Sequence, residues 1–172
     1  MESRIIHEAI SGDSRSLTIL IDKYKDIAYS LALSIVKNRE DAKDITQDSF
    51  LKVLENISRF RNEAKFSTWL YRIVYNQSVG FMNRVNRKKE IDYTMLLENS
   101  EINDSHEEKI QQLYKAISAL DDTGRNIIIL FYLAEKSIKE IRQITGFSVA
   151  NIKVILYRSR KKIFEIMNHE NT

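Results

Sequence analysis

Residues 137–163 read SIKEIRQITGFSVANIKVILYRSRKKI. The stretch divides into two short helices about a glycine. Ser137, with Glu140 three positions on, forms a capping box that can satisfy orphan N–H groups at a helix start. Ile138, Ile141 and Ile144 give this helix one apolar side. Gly146 fits the position just past its end, where a left-handed backbone is cheap only for glycine. Ser148 can cap the second helix, whose Ile152, Ile155, Leu156 and Ile163 share an inward face. The opposite face carries Asn151, Lys153, Tyr157, Arg158, Arg160, Lys161 and Lys162. Five of the ten residues from Lys153 to Lys162 are basic, which suits both a helix C-terminus and a phosphate backbone. Helices joined in this way can lay the second one in a major groove of DNA. The alternative is a plain helical hairpin with a solvated basic end. One position departs from the groove-binding pattern: four residues before the turn glycine, where a small side chain eases close approach of the helices, stands Arg142.

Working outward, the whole chain carries the composition of a helical protein. Its 172 residues include no proline and four glycines, the two residue types that helix interiors tolerate least. A content of 43% hydrophobic and 30% charged residues is that of a soluble globular chain. The absence of cysteine excludes disulfides and thiolate metal sites. No stretch approaches the ~18 apolar residues of a membrane span, and the first residues, MESRIIHEAISGDSRS, lack a signal-peptide core. A cytoplasmic location without membrane insertion is therefore expected. The net charge is only +3, but it is segregated. Arg59 to Glu90 holds eight Lys or Arg against two acids, and Glu90 to Glu108 holds seven acids and no Lys or Arg. Such separation fits a nucleic-acid binder.

The apolar periodicity predicts an all-α fold of two small helical domains. In the first, a long helix capped by Asp13 or Ser14 buries Leu17, Leu20, Ile21, Tyr24, Ile27, Ala28, Leu31 and Ile35, and stops near Asn38. A second helix runs from about Glu40 to Ile57, with Ala42, Ile45, Phe50, Val53, Leu54 and Ile57 inward. After a loop, Ser67 can cap a third helix that ends near Asn86 and turns Trp69, Leu70, Ile73, Val74 and Met82 inward. Residues 1–89 thus form a three-helix domain. Residues 90–106 read as a flexible acidic linker, and 107–172 as a four-helix domain ending in the helix-turn-helix. In this second domain Ile110, Leu113, Ile117 and Leu120 face inward, LDDTGRN turns the chain, and a helix follows from Thr123 to about Ala134.

A second surface lies upstream. Phe60, Phe66, Trp69, Tyr71, Tyr75 and Phe81 fall within 22 residues, interleaved with Arg59, Arg61, Lys65, Arg72 and Arg84. Aromatic faces accept unstacked bases while cations follow phosphates, so the mixture suits single-stranded DNA. An amide such as Asn76 can read a base edge. Core packing is the competing explanation, above all for Phe66 and Trp69. On the preceding helix Asp41, Asp44, Gln47 and Asp48 share a face. That face fits an acidic docking surface or simply a solvated side. It supplies too few ligands for a closed metal site, and no Ser/His or Cys/His pairing suggests an enzyme.

EDAKDITQDSFLKVLENISRFRNEAKFSTWLYRIVYN and SALDDTGRNIIILFYLAEKSIKEIRQITGFSVANIKVILYRSRKKI together resemble a sigma-70 family RNA polymerase sigma factor of the extracytoplasmic-function (ECF) class. The resemblance covers roughly residues 13–89 and 109–166. It implies a non-catalytic transcription initiation factor without a cofactor, whose partners are core RNA polymerase, promoter DNA in duplex and single-stranded form, and an anti-sigma factor. It further implies that Asp41, Asp44, Gln47, Asp48 and Leu51 dock on polymerase. Lys52, Asn56, Phe60, Arg61, Arg72 and Asn76 would bind the melted −10 strand, and Lys153, Val154, Tyr157, Arg158 and Arg160 would read the −35 element. The chain departs from the family pattern at Gly80, a usual Asp, where a weakened helix is expected; at Asp121-Asp122 after Leu120, a usual Pro; at Arg142; and at Val154, often Ser. A stand-alone helix-turn-helix regulator is the other function compatible with residues 137–163, but it leaves the upstream surfaces without a role.

Overall fold

The computed structural model describes residues 2–89, 113 and 115–169. The linker reading for 90–106 and the inward placement of Ile110 lie outside them. Among the described residues there is helix and no strand. The elements are α1 (Glu2–Ile10), α2 (Ser14–Val36), α3 (Arg39–Asn56), a 3-10 turn (Ile57–Arg59), α4 (Phe66–Lys89), α5 (Asp122–Ile128) running into a π turn (Ile129–Leu133), α6 (Ile138–Thr145) and α7 (Val149–His169). The N-terminal unit therefore has four α-helices rather than three. The additional α1 buries Ile6 and Ala9, whose spacing was present in the sequence.

Local chemistry sets most of the boundaries. The Asp13 carboxylate accepts from Ser16 N at 2.8 Å and caps α2. Lys37 ends α2 in the left-handed conformation (φ 60°), its N–H donating to the Leu33 carbonyl. Asn38, expected as a stop, caps α3 by accepting from Glu40 N (2.9 Å) and Asp41 N (3.1 Å). The Ser67 expectation fails. Helix α4 starts at Phe66, two residues before the expected Thr68, with Thr68 N and Trp69 N both donating to the Lys65 carbonyl. The Ser67 side chain is buried and engaged by Lys136. Gly80 does not interrupt α4, which runs on to Lys89. Gly124 lies within α5 rather than in a turn, and an added Cβ there would meet Ser159 Oγ at 2.6 Å. The capping box is formed as read: Glu140 N donates to Ser137 Oγ while Ser137 N donates to Glu140 Oε2.

The second glycine that matters is Gly146, with φ at +80°. Any side chain in the left-handed region costs roughly 1–2 kcal/mol, although the space around this position is open. Gly146→Ala should lower stability by about that amount, visible as a lower urea midpoint at unchanged m-value. An unchanged midpoint would contradict the left-handed turn.

The core joins Leu20, Tyr24, Leu31 and Ile35 of α2, Ile45, Phe50 and Val53 of α3, and Phe66, Leu70, Tyr71 and Val74 of α4. It continues without a break into Ile127, Leu130, Ile141, Ile144, Ile152 and Leu156 of the helix-turn-helix unit. Two inward expectations are corrected. Leu54 is 38% exposed, and Leu113, 40% exposed, lines an open apolar groove with Ile117, Tyr132 and Phe164.

Candidate nucleic-acid and docking interfaces

Helix α4 carries the aromatic–basic surface along one side. Trp69, Ile73, Asn76 and Gly80 recur at spacings of four, three and four, which keeps them on one helical stripe. At its start Phe60 packs at a tilt against Trp69 (centroids 5.2 Å, planes 37° apart) and meets Phe66 edge-on (5.8 Å). Phe60 and Trp69 stay half-buried, so each keeps ring surface open to solvent. Phe66 and Tyr71 do not: they are 3% and 1% exposed and belong to the core, packed against Tyr24. Core packing therefore wins for two of the six aromatics. Tyr75 and Phe81 are half-buried.

About two turns further along, a groove of ≈ 330 Å³ opens between α3 and α4, lined by Lys52, Ile73, Asn76, Gln77, Gly80 and Arg84. Gly80 contributes open space there, with nothing within 4 Å of an added Cβ. Lys52 Nζ donates to Gln77 Oε1 at 2.9 Å, and Asn56 Nδ2 to the Lys52 carbonyl at 2.9 Å. Asn76, Arg72 and Arg61 are exposed. Lys52 and Asn76 thus share the groove, while Phe60 and Trp69 stand at the other end of the stripe. Sequence reading missed Gln77. Its Nε2 is buried with no hydrogen-bond partner among the described residues. Its place one residue after Asn76, within a turn of Ile73 and Gly80, was the available signal.

On α3, Asp44, Gln47, Asp48 and Leu51 are exposed and Asp41 is half-exposed. Leu54 extends the row, so the acidic face ends in two exposed leucines, Leu51 (49%) and Leu54 (38%). Beside it lies a groove of ≈ 310 Å³ floored by Tyr29 and Phe50 and rimmed by Lys25, Asp26, Lys43 and Gln47. A charged stripe flanked by apolar side chains can hold a helix of opposite charge. Among the described residues no group of three or more His, Cys, Asp or Glu is placed to hold a metal ion.

On α7, Lys153, Val154, Tyr157 and Arg158 are all exposed, opposite the buried Ile152, Leu156 and Ser159. Ser148 Oγ accepts from Asn151 N at 3.2 Å, the cap expected at the start of this helix. Arg160 is set apart. Its Nε donates to Tyr132 Oη at 2.7 Å, and its guanidinium lies 5.3 Å and 5.5 Å from the Phe131 and Tyr132 ring centroids. That cation–π clamp ties it to the π turn.

Among the described residues no helix is long and apolar enough to cross a membrane. The family model described as Sigma-70 region 2 matches residues 20–88, and that described as Sigma-70, region 4 matches 110–163. The chain is 30% identical to the ECF RNA polymerase sigma factor SigW of Bacillus subtilis, with 95% of each chain covered. It is 31% identical to the RNA polymerase sigma factor SigV of the same organism, over 84% of this chain and 87% of that one. Its fold is similar to that of the sigma factor RpoE from Bartonella quintana, solved in complex with the anti-sigma factor NepR. There the TM-score is 0.75 at 21% identity, covering 88% of this chain and 96% of that one.

Proposed function

Since the chain belongs to the sigma-70 family of RNA polymerase sigma factors, in its ECF class, we propose a division of labour among its three exposed surfaces. The protein is a transcription initiation factor, acting with core RNA polymerase on promoter DNA. The acidic face of α3 (Asp41, Asp44, Gln47, Asp48, Leu51) docks on polymerase. The α4 stripe with Lys52, Asn56, Phe60, Arg61, Arg72 and Asn76 holds the opened −10 strand. The α7 edge (Lys153, Val154, Tyr157, Arg158) lies in the −35 major groove. The factor has no chemistry of its own, works in the cytoplasm where polymerase acts, and is held in check by an anti-sigma protein.

The observation that carries this reading is the α4 stripe, where the half-buried Phe60 and Trp69 rings, packed at a tilt, and an amide-lined groove share one face. Stacking offers roughly 1–3 kcal/mol per base, comparable to the few kcal/mol needed to unstack one. A surface of this size therefore traps a base that polymerase helps to open, rather than melting duplex alone. Run-off transcription with bacterial core polymerase on a randomised promoter library tests the reading. Enriched promoters with two spaced elements are expected, and no factor-dependent transcript at all would refute it.

Two substitutions separate the surfaces. Asn76→Ala should slow open-complex formation about tenfold or more, the loss of one base-edge contact, with polymerase binding intact. Equal loss of both would break the assignment. Arg158→Ala should weaken duplex binding and reduce the salt slope by about one. Arg160→Ala should leave that slope alone and lower thermal stability instead, because its partners are Tyr132 and Phe131. A slope that drops equally in both variants would place Arg160 on the phosphates.

A further inference from the structure

Resting on the assignment of the α4 groove to the opened −10 strand, we propose that Gln77 is a specificity residue of that groove. Together with Lys52 it presents donors to one base, and so selects the keto edge of guanine or thymine over the amino edge of adenine or cytosine.

The neighbour of Gln77 fixes which way its amide points. Lys52 Nζ on α3 donates to Gln77 Oε1 at 2.9 Å. An ammonium has donors and no acceptor, so it can face the amide oxygen and not the NH2 group. Nε2 is thereby turned toward the interior, where it is buried without a hydrogen-bond partner among the described residues. Buried donors are rarely left in that state, because the folded chain carries the cost of the unmade bond. Exchanging the two ends of the amide gives no relief, since it sets NH2 against the ammonium.

An acceptor arriving in the groove changes that balance. Gln77 as a whole is half-buried and lines the groove with Lys52, Ile73, Asn76, Gly80 and Arg84. Rotation about its side-chain bonds carries Nε2 out of the wall and toward the open space at Gly80, three residues on, where no side chain stands in the way. The bond that Nε2 then makes displaces no earlier one, so its whole gain appears as binding. Lys52 is exposed and keeps two further N–H donors, with which it can reach the same base.

The donor and acceptor inventory decides what this side of the groove reads. None of the lining residues is Asp or Glu, Lys52 and Arg84 only donate, and the Gln77 oxygen is held by Lys52. Ile73 adds an apolar wall, which suits the flat face of a base better than a phosphate that would lose water against it. On the major-groove edge guanine offers N7 and O6 and thymine offers O4, all acceptors, whereas adenine N6 and cytosine N4 are donors. Donors on Lys52 and Gln77 therefore meet acceptors on the keto bases and meet donors on the amino bases.

The test is transcription by the full chain with core polymerase from promoters randomised in the −10 element alone. At one −10 position guanine should be preferred over adenine, and thymine over cytosine, each about tenfold. Both comparisons match bases of equal ring size, so stacking cancels. Gln77→Leu should flatten the preference at that position and leave the other −10 positions as they were. Lys52→Met, at an exposed site where folding is not at stake, frees Oε1. An amide with both ends open pairs with adenine N6 and N7, so adenine should gain several-fold at the same position. The proposal is overturned by the absence of any such keto position, by a preference that survives Gln77→Leu, by a loss spread equally over all −10 positions, or by a Lys52→Met variant with no gain for adenine. A library that yields no factor-dependent transcript would strike the proposed function instead. Titration of the chain alone with labelled single-stranded oligonucleotides that differ at one base then decides the proposal, which requires the same two preferences and their loss in Gln77→Leu.

Discussion

Asp44→Lys combined with Asp48→Lys should cut core-polymerase binding at least about 100-fold, and run-off transcription with it. Both carboxylates are exposed on α3, beside Leu51 and Leu54. Under the proposed docking each would meet a basic partner, and reversing a docked charge replaces attraction with like-charge contact. Losing such contacts costs roughly 2–5 kcal/mol, and 1.4 kcal/mol is a factor of ten. Folding should barely change, because exposed substitutions of this kind usually fall within about 0.5 kcal/mol. The measurement is a binding titration with labelled factor at two salt concentrations, alongside a urea midpoint. Full-strength binding with a native midpoint would remove α3 from the polymerase interface.

Leu70→Ala should be the most damaging single change to stability, at about 2–5 kcal/mol. Leu70 is fully buried on α4, the helix that packs against α2, α3 and α6 together. Three helices pinned by their other contacts cannot all move in to fill the void, so the cavity cost adds to the lost transfer energy. Against a typical total of about 5–15 kcal/mol, this is a large fraction. The buried cluster is continuous across both units, so the loss should appear in one cooperative transition with unchanged m-value. A drop under about 1 kcal/mol would mean that the site collapses freely and that α4 is less constrained than its packing indicates.

The elements that sequence reading placed well share a cause. The Asp13, Ser137 and Ser148 caps and the Gly146 turn depend on residues within about four positions of one another. The inward faces of α2 and α6 depend on a local period. The Lys153, Tyr157 and Arg158 edge was legible for the same reason, since a helix face opposite buried isoleucine and leucine has only solvent to meet. Ser67 shows where local reading fails. Its hydroxyl was a plausible cap, but Lys136, 69 residues away, claims it. Arg160 shows the same long reach: periodicity placed it with the other cations, and Tyr132, 28 residues away, accepts from it.

The sequence by itself determined an all-helical chain, its caps and turn, the segregation of charge, and which helix faces are apolar, because each is fixed by near neighbours along the chain. Only the tertiary structure decided that Phe66 and Tyr71 enter the core while Phe60 and Trp69 stay open, that Leu54 joins the acidic face, and that Lys136 and Glu140 bind one unit to the other. Those outcomes depend on which groups lose water when segments tens of residues apart come together. No local propensity carries that information, because it belongs to the pairing of surfaces and not to either surface alone.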